Sequence, residues 1–534
     1  PRSTLDRSSA ASDLYKRQVI TCILLIGFMM AGCTDLKEEI LNEKDSSDII
    51  SDSKNAPMLV APAYAYLRDL QSRSGVWLVL ESVTDEMLFP TRGTDWNNAN
   101  YRTLFTHEYD SKNTYIKNAW NSFMIGITKC NTALQYLSKL QQTEEVKGYM
   151  NEARFIRALC MYHLMDCFGK FPMREYAEID YSKKPVILER PQAIERIENE
   201  WLEIIPLLKE KGEVPYGRIT RAAAQMLLAK LYLNNQVYTG TAPDFTDGIG
   251  KWTETIALCD EIIGSGKYKL ADDFWKLYMA FNESYCDQTE TILPIIYNMT
   301  AGLKGIDWLN ITLHYNQTFG TFKGMWNGCC TTPDFLNTWD TTDSRYQDSR
   351  LKNQIGFNLG ILIGQQYGLN GEKLKDRTGA DLVYTPEFSV QNSSEAQGAR
   401  VVKYAPDPNS TYGNKSENDF QYYRLADVYL MRAEAKMRSN DAKGALSDIN
   451  AVRRKRSVRP YTLDELTLEK IYNERGYEFY WDGPSRRNDM IRFNKYCQAR
   501  YEKPASETYK ILLPIPLSAM EANPELTQNS DKYE

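Results

Sequence analysis

The stretch FQYYRLADVYLMRAEAKMRSNDAKGALSDINAVRRKR, Phe420–Arg456, decides the fold. Leu425, Val428, Tyr429 and Ala433 recur at steps of three and four, with Leu430 beside them, which is the spacing of one apolar helix face. Ser439-Asn440 supplies a turn, and Ala442, Ala445, Leu446, Ile449 and Val452 then repeat the pattern. The spacing predicts helices over Phe420–Arg438 and Asp441–Arg456. The turn between them is short enough to make the pair antiparallel.

Working outward, the same periodicity predicts a helix over Leu463–Trp481, ended by Asp482-Gly483-Pro484. Upstream it predicts helices over Ala56–Ser72, Ile116–Leu140, Val146–Phe168, Pro191–Lys211, Thr220–Leu233 and Trp252–Gly264. Gly169 should stop the third of these, Pro206 should kink or shorten the fourth, and Thr220 should cap the fifth. The antiparallel pairs, with Ala222, Ala223, Ala224 and Ala229 at close-contact positions, resemble degenerate tetratricopeptide repeats without a clean period of about 34 residues. Between residues 271 and 416 the helical signal fades, and Gly, Asn, Thr, Trp and Tyr become frequent. Short extended runs are expected there, at Thr291–Tyr297 and Ala399–Tyr404. Irregular regions of this length are usually functional. The fold class is therefore mainly α, with a loop-rich region holding a few short strands.

The 534 residues carry 64 Lys+Arg against 70 Asp+Glu, a net charge of −6, which argues against nucleic acid as the partner. Apolar residues make up 43% and charged residues 25%, enough to bury a core. With 35 Tyr and 10 Trp, some rings are expected at the surface, and exposed rings suit sugars, peptides and protein partners. There are 10 Cys and no CxxC, so a zinc ribbon is not expected. Cys130, Cys160, Cys167 and Cys259 fall in apolar helical patterns as buried thiols; adjacent Cys329-Cys330 is the pair to watch for a disulfide. His107, His163 and His314 are scattered, with no HExxH, GxSxG or phosphate loop, so neither metal nor cofactor is implied.

One segment is strongly apolar, VITCILLIGFMMAGC at Val19–Cys33. Its run to Ala31 falls short of the about 20 residues a spanning helix needs, and with Lys16-Arg17 before it reads as a signal peptide, residues 19–32. Ala31-Gly32-Cys33 resembles a bacterial lipobox, with Met30 where Leu is usual, so Cys33 is expected to carry lipid. Residues 1–18, which open on Pro1, read as a leader foreign to the native protein. Residues 33–55 are acidic at first and read as a lipidated, solvated tether. Residues 56–534 then form one domain, helical over 56–270 and 417–534 and irregular over 271–416.

Several blocks together resemble the SusD/RagB family of outer-membrane nutrient-binding lipoproteins. They are NEARFIRALCMYHLMDCFGKFP (Asn151–Pro172), GRITRAAAQMLLAKLYL (Gly217–Leu233), the Phe420–Arg456 stretch, ERGYEFYWDGPSRRNDMIRF (Glu474–Phe493) and LLPIPLSAMEANPELTQNSDKY (Leu512–Tyr533). With the lipobox they span the whole chain after the leader. The resemblance implies a SusD-like helical scaffold, anchorage to the outer membrane facing outward, and a TonB-dependent transporter of the SusC type as partner. It also implies an oligosaccharide ligand, or a peptide as in some relatives, and no catalysis.

For the ligand site the residues themselves point to aromatic rings in polar loops. TRGTDWNNANY sets Trp96 and Tyr101 beside Asp95 and Asn97; KGIDWLNITLHYNQ holds Trp308 and Tyr315; TFKGMWNGCC holds Trp326 between glycines. A sugar needs a flat apolar surface for its C–H face and amides or carboxylates for its hydroxyls, and these loops offer both. Charged residues at Glu474, Arg475, Glu478, Asp482, Arg486, Arg487, Asp489 and Arg492 are read instead as ion pairs locking the last helices. Glu474 and Glu478 lie one helical turn apart, which is not how a glycosidase sets two carboxylates across a sugar, so a surface glycosidase ranks last.

Overall fold

A computed structural model describes residues 52–533, apart from 177–181, 303–304 and 307. The expected leader, signal peptide and lipidated Cys33 lie outside the described residues, as does the tether up to residue 51. The scaffold helices are α1 (Ala56–Tyr66), α2 (Val76–Ser82), α3 (Ala99–Thr106), α4 (Thr114–Leu137), α5 (Glu144–Phe168), α6 (Arg190–Ile204), α7 (Arg221–Leu233) and α8 (Trp252–Gly264). They continue as α9 (Leu425–Arg438), α10 (Ala442–Lys455), α11 (Leu468–Phe479) and α12 (Arg486–Arg492).

Side chains set the helix ends. Asn113 accepts from the amides of Tyr115 and Ile116 to start α4, Thr143 caps α5, and Asp441 caps α10 through Gly444 N. Gly169, at φ 74°, closes α5. Pro206 acts as its chemistry dictates: α6 stops at Ile204 and a short 3₁₀ turn, Ile205–Leu207, follows. Thr220 stands at the cap position of α7, but its hydroxyl meets Tyr268 Oη at 3.1 Å instead of capping.

Successive helices pack as neighbours from α4 through α8, and α1 lies on α4. At Gly126 of α4 a Cβ would sit 2.5 Å from the Tyr66 ring, so glycine lets α1 and α4 approach this closely. The stack then skips the irregular region: α8 packs directly on α9, which pairs with α10. Residues 271–416 are therefore an excursion out of a continuous helical stack, consistent with repeat-like construction.

The helix expected from Phe420 begins later. Phe420–Arg424 is a strand, β9, and the helix starts only at Leu425. It pairs antiparallel with β3 (Thr291–Ile295), Ile295 opposite Phe420 and Thr291 opposite Arg424. Consecutive Phe, Gln, Tyr, Tyr and Arg suit a strand buried on both faces. A short ribbon, β1 (Phe171–Met173) with β2 (Val186–Leu188), follows α5. A small sheet, β4 (Gln347–Asp348), β5 (Leu359–Leu362) and β8 (Arg400–Val402), and a hairpin, β6 (Gly364–Gln365) with β7 (Val383–Tyr384), complete the irregular region. The eight described cysteines are free thiols, Cys329 and Cys330 included.

The charged run on α11 and α12 forms ion pairs, and they reach well beyond those helices. Fully buried Glu478 meets Arg345 at 2.9 Å, Arg424 at 2.7 Å and Arg456 at 2.7 Å. These partners come from the irregular region, from β9 and from the end of α10. Arg475 bonds Asp427 and Asp489, Arg487 bonds Asp166 of α5, and Arg492 bonds Glu434 of α9. Burial alone would raise the Glu478 carboxyl; Arg456, Arg424 and Arg345 override it and hold the group well below the usual carboxylate range.

Glu86 is the opposite case. It is buried beside the backbone of Trp481, and burial, with help from Asp85, pushes its carboxyl up to about 8 against the opposing charges of Arg486 and Lys403.

Two predictions follow from these carboxylates. Glu478→Gln leaves three buried guanidinium groups short of a counter-charge and should cost roughly 3–5 kcal/mol in chemical denaturation; an unchanged midpoint would contradict the geometry. Glu86, raised when folded, adds stability below the unfolded value near 4.5 and loses it as pH climbs through about 8. Glu86→Gln, permanently neutral, should therefore melt above the unmodified chain at alkaline pH, and the two curves should converge in acid.

Candidate ligand-binding site

The loop before α3 builds the first wall. Arg92 and Asp95 exchange backbone bonds of 2.9 and 3.0 Å in a tight turn, with Gly93 at φ 63°. Trp96 follows in the left-handed region at φ 56°, unusual for so bulky a residue. Asn98 then returns the chain to helix, accepting Asn100 N at 2.9 Å as the cap of α3. The second wall is the segment around Trp326, where Asn327 also lies at positive φ, 50°. Trp96 Nε1 donates to Trp326 O at 2.8 Å and ties the walls together. A Cβ at Gly328 would fall 2.5 Å from Trp96 Cζ2, so only glycine leaves room for the indole.

The rings form a line. Tyr115 stacks on Tyr101 at 4.4 Å, Tyr101 meets Trp96 edge-on at 5.3 Å, and Trp96 lies 6.4 Å from Trp326. Phe89 backs the middle of the line, 5.1 Å from Trp96 and 4.7 Å from Tyr101. Trp326 is the most open, with 41% of its surface exposed, and the Arg73 guanidinium sits 4.2 Å over its ring.

Polar groups border the line. Asp95 accepts from Tyr315 Oη at 2.7 Å and from Arg377. The Tyr315 hydrogen bond, and then Arg377, hold the Asp95 carboxyl below its ordinary value against partial burial. Asn97 is exposed and accepts from Arg102 Nη1 at 3.2 Å. Arg377 also bonds Glu395, whose other oxygen lies 3.0 Å from His314 Nε2.

Of the residues the sequence nominated, Asp95, Trp96, Asn97, Tyr101 and Trp326 share this ledge. Tyr315 touches it through its hydroxyl, and Arg377 covers one face of its ring at 4.0 Å. Trp308 is corrected to a core residue. It is only 6% exposed, stacks on Trp77 at 4.3 Å with planes 8° apart, and donates to Gln71 O. Its polar sequence neighbours gave no sign of Trp77, which arrives from α2. Sequence reading missed Tyr115, Arg73, Arg102 and Arg377. Tyr115 was legible in principle, as a ring in the first turn of a capped helix. Arg102, next to Tyr101, was legible too; Arg73 and Arg377 were not, because each reaches the ledge from a distant segment. Among the described residues no group of three His, Cys, Asp or Glu side chains is placed to hold a metal ion.

Two family models cover most of the chain. One, described as the SusD family, matches residues 289–533; the other, described as starch-binding and associating with the outer membrane, matches residues 39–233. The chain belongs to the SusD family. Among SusD relatives, the starch-binding protein SusD of Bacteroides thetaiotaomicron is 29% identical over 437 residues, 74% of this chain and 76% of that one. The SusD-like protein P25 of Formosa agariphila is 24% identical over 411 residues, 71% of this chain and 72% of that one. A SusD superfamily protein from Parabacteroides distasonis superposes with a TM-score of 0.69 at 21% identity, covering 91% of this chain and all of that one. A surface glycan-binding protein A from Bacteroides thetaiotaomicron, in complex with laminarihexaose, gives 0.67 at 19% identity, covering 89% and 99%. At these identities the structural matches speak for the SusD fold alone.

Proposed function

We propose that this SusD-family chain is a non-catalytic, cell-surface glycan-binding lipoprotein that hands oligosaccharide to a TonB-dependent outer-membrane transporter. The observation that carries the binding role is the ledge Tyr115–Tyr101–Trp96–Trp326, open at Trp326 and edged by Asp95, Asn97 and Arg102. Ring faces take the apolar side of a sugar, and the bordering amide, carboxylate and guanidinium take its hydroxyls. Relatives named for binding starch and laminarihexaose support the same ligand class. The family description as outer-membrane-associated supports the location, and the lipobox at Cys33 supplies the means. The charged residues of α11 and α12 are bound up in buried ion pairs, which leaves them no role as a hydrolytic pair.

In calorimetry against a panel of oligosaccharides and mixed peptides, Trp326→Ala and Trp96→Ala should weaken glycan binding by roughly 1–3 kcal/mol with folding intact. Trp308→Ala should instead lower fold stability, by about 3–5 kcal/mol. Binding of peptides alone would replace the ligand. Cys33→Ala should move the protein out of the outer-membrane fraction, and the lipidated chain should co-purify with a barrel transporter; retention of the Cys33→Ala variant on the membrane would refute the anchor.

A further inference from the structure

Buried arginines in this protein have carboxylate partners, as Arg157 has Glu200, Arg345 has Asp343, and Arg486 has Asp85. Two buried ones, Arg92 at 3% exposure and Arg400 at 0%, meet no carboxylate among the described residues. They lie together. Gln397 O accepts from Arg92 Nη1 at 2.8 Å and from Arg400 Nη1 at 3.0 Å, so two like charges share one carbonyl. Burial, and then the charge of Arg400, pulls the Arg92 guanidinium down to about 9.

Both guanidinium groups stand directly behind the aromatic ledge. Arg92 bonds Gly328 O, the residue against which Trp96 rests, and Arg400 bonds Asn327 Oδ1 at 2.7 Å, one residue from Trp326. The neighbouring carboxylates are otherwise engaged. Glu395 gives Arg400 only its backbone carbonyl, at 2.9 Å, while its carboxylate holds Arg377 and His314. Asp95 holds Tyr315 and Arg377, and Asp376 is folded into a turn with Thr378. Arg102 adds a partly exposed cation at the rim, bonded to Thr91 and Asn97 and, among the described residues, to no carboxylate. Carbonyl dipoles offset part of the cost of burying two adjacent cations, and a counter-charge would offset the rest. Through Gly328 and Asn327 this cluster adjoins the ledge.

We infer that the ledge takes an acidic oligosaccharide, one bearing carboxylate or sulfate groups, an inference that rests on the glycan reading above. The test is calorimetry of the full chain against matched oligosaccharides on α-1,4-glucan, β-1,3-glucan and galactan backbones. Each backbone is supplied neutral, oxidised to the uronate, and sulfated. The charged forms should bind at least about tenfold tighter than the neutral form, with the margin shrinking between about 50 and 500 mM salt. Arg102→Gln should cut that margin severalfold, weakening the charged forms more than the neutral one. The uronate and sulfate arms separate the two acidic chemistries. Neutral sugars binding as tightly as charged ones would overturn the inference and leave the glycan reading standing. So would a charge preference that Arg102→Gln leaves intact. Binding to none of the series would remove the glycan reading and the inference with it.

Discussion

The rest of the molecule depends on one carboxylate. Glu478 of α11 lies where the end of α10, strand β9 and the irregular region meet, and each of these three sends it a guanidinium group. An apolar cluster could fill that space without the desolvation cost of four charges. It would also accept many arrangements of the 271–416 excursion on the helical stack. Three planar donors around one buried carboxylate accept very few. Arg424 and Arg456 further share Glu290, so the pairing of β3 with β9 and the exit from α10 are set by the same charges. In this protein the ionic core supplies registry, and the apolar helix faces supply the driving force.

That division explains which parts of the structure can be read in the sequence. The helices are legible because a periodic apolar face is a local property, and their caps and stops, Asn113, Asp441 and Gly169, act within a turn. β9 carries a helix-like signal because Phe420–Arg424 runs straight into Leu425, and its partner β3 lies far upstream. The charged run on α11 and α12 was legible as ion pairs, but the distant partners, Arg345, Asp166 and Asp85, were not. At the ledge, Trp96 and Trp326 were legible as rings in loops rich in glycine and asparagine. Trp308 carried the same local signal and proved to be core, because what separates it from Trp326 is whether another ring arrives from elsewhere to cover it.

The ledge itself is a negotiated geometry. Trp96 and Asn327 both hold backbone conformations that cost about 1–3 kcal/mol each. The Trp96 indole hydrogen bond, the close fit at Gly328 and the carbonyl clamps of Arg92 and Arg400 together hold them there. On the proposed reading the return is a row of rings already in place when ligand arrives, so little ordering is left to do on binding. A row that is open to solvent along one side still binds weakly by itself. Tethering beside a transporter would raise the effective concentration of captured ligand without any new contact, and the demand on intrinsic affinity falls accordingly.

The arginines behind the ledge then do two things with one group. Lysine could not replace them as clamps, because a single ammonium cannot reach the several carbonyls that each guanidinium bridges. Having been chosen for that geometry, they bring a charge that no surrounding carboxylate cancels, in a chain whose net charge is −6. A neutral ligand would leave that field unused and would be indifferent to it. An acidic one would be drawn to this face and repelled by most others, so the bonds that fix the loops would also decide which sugar the rings receive.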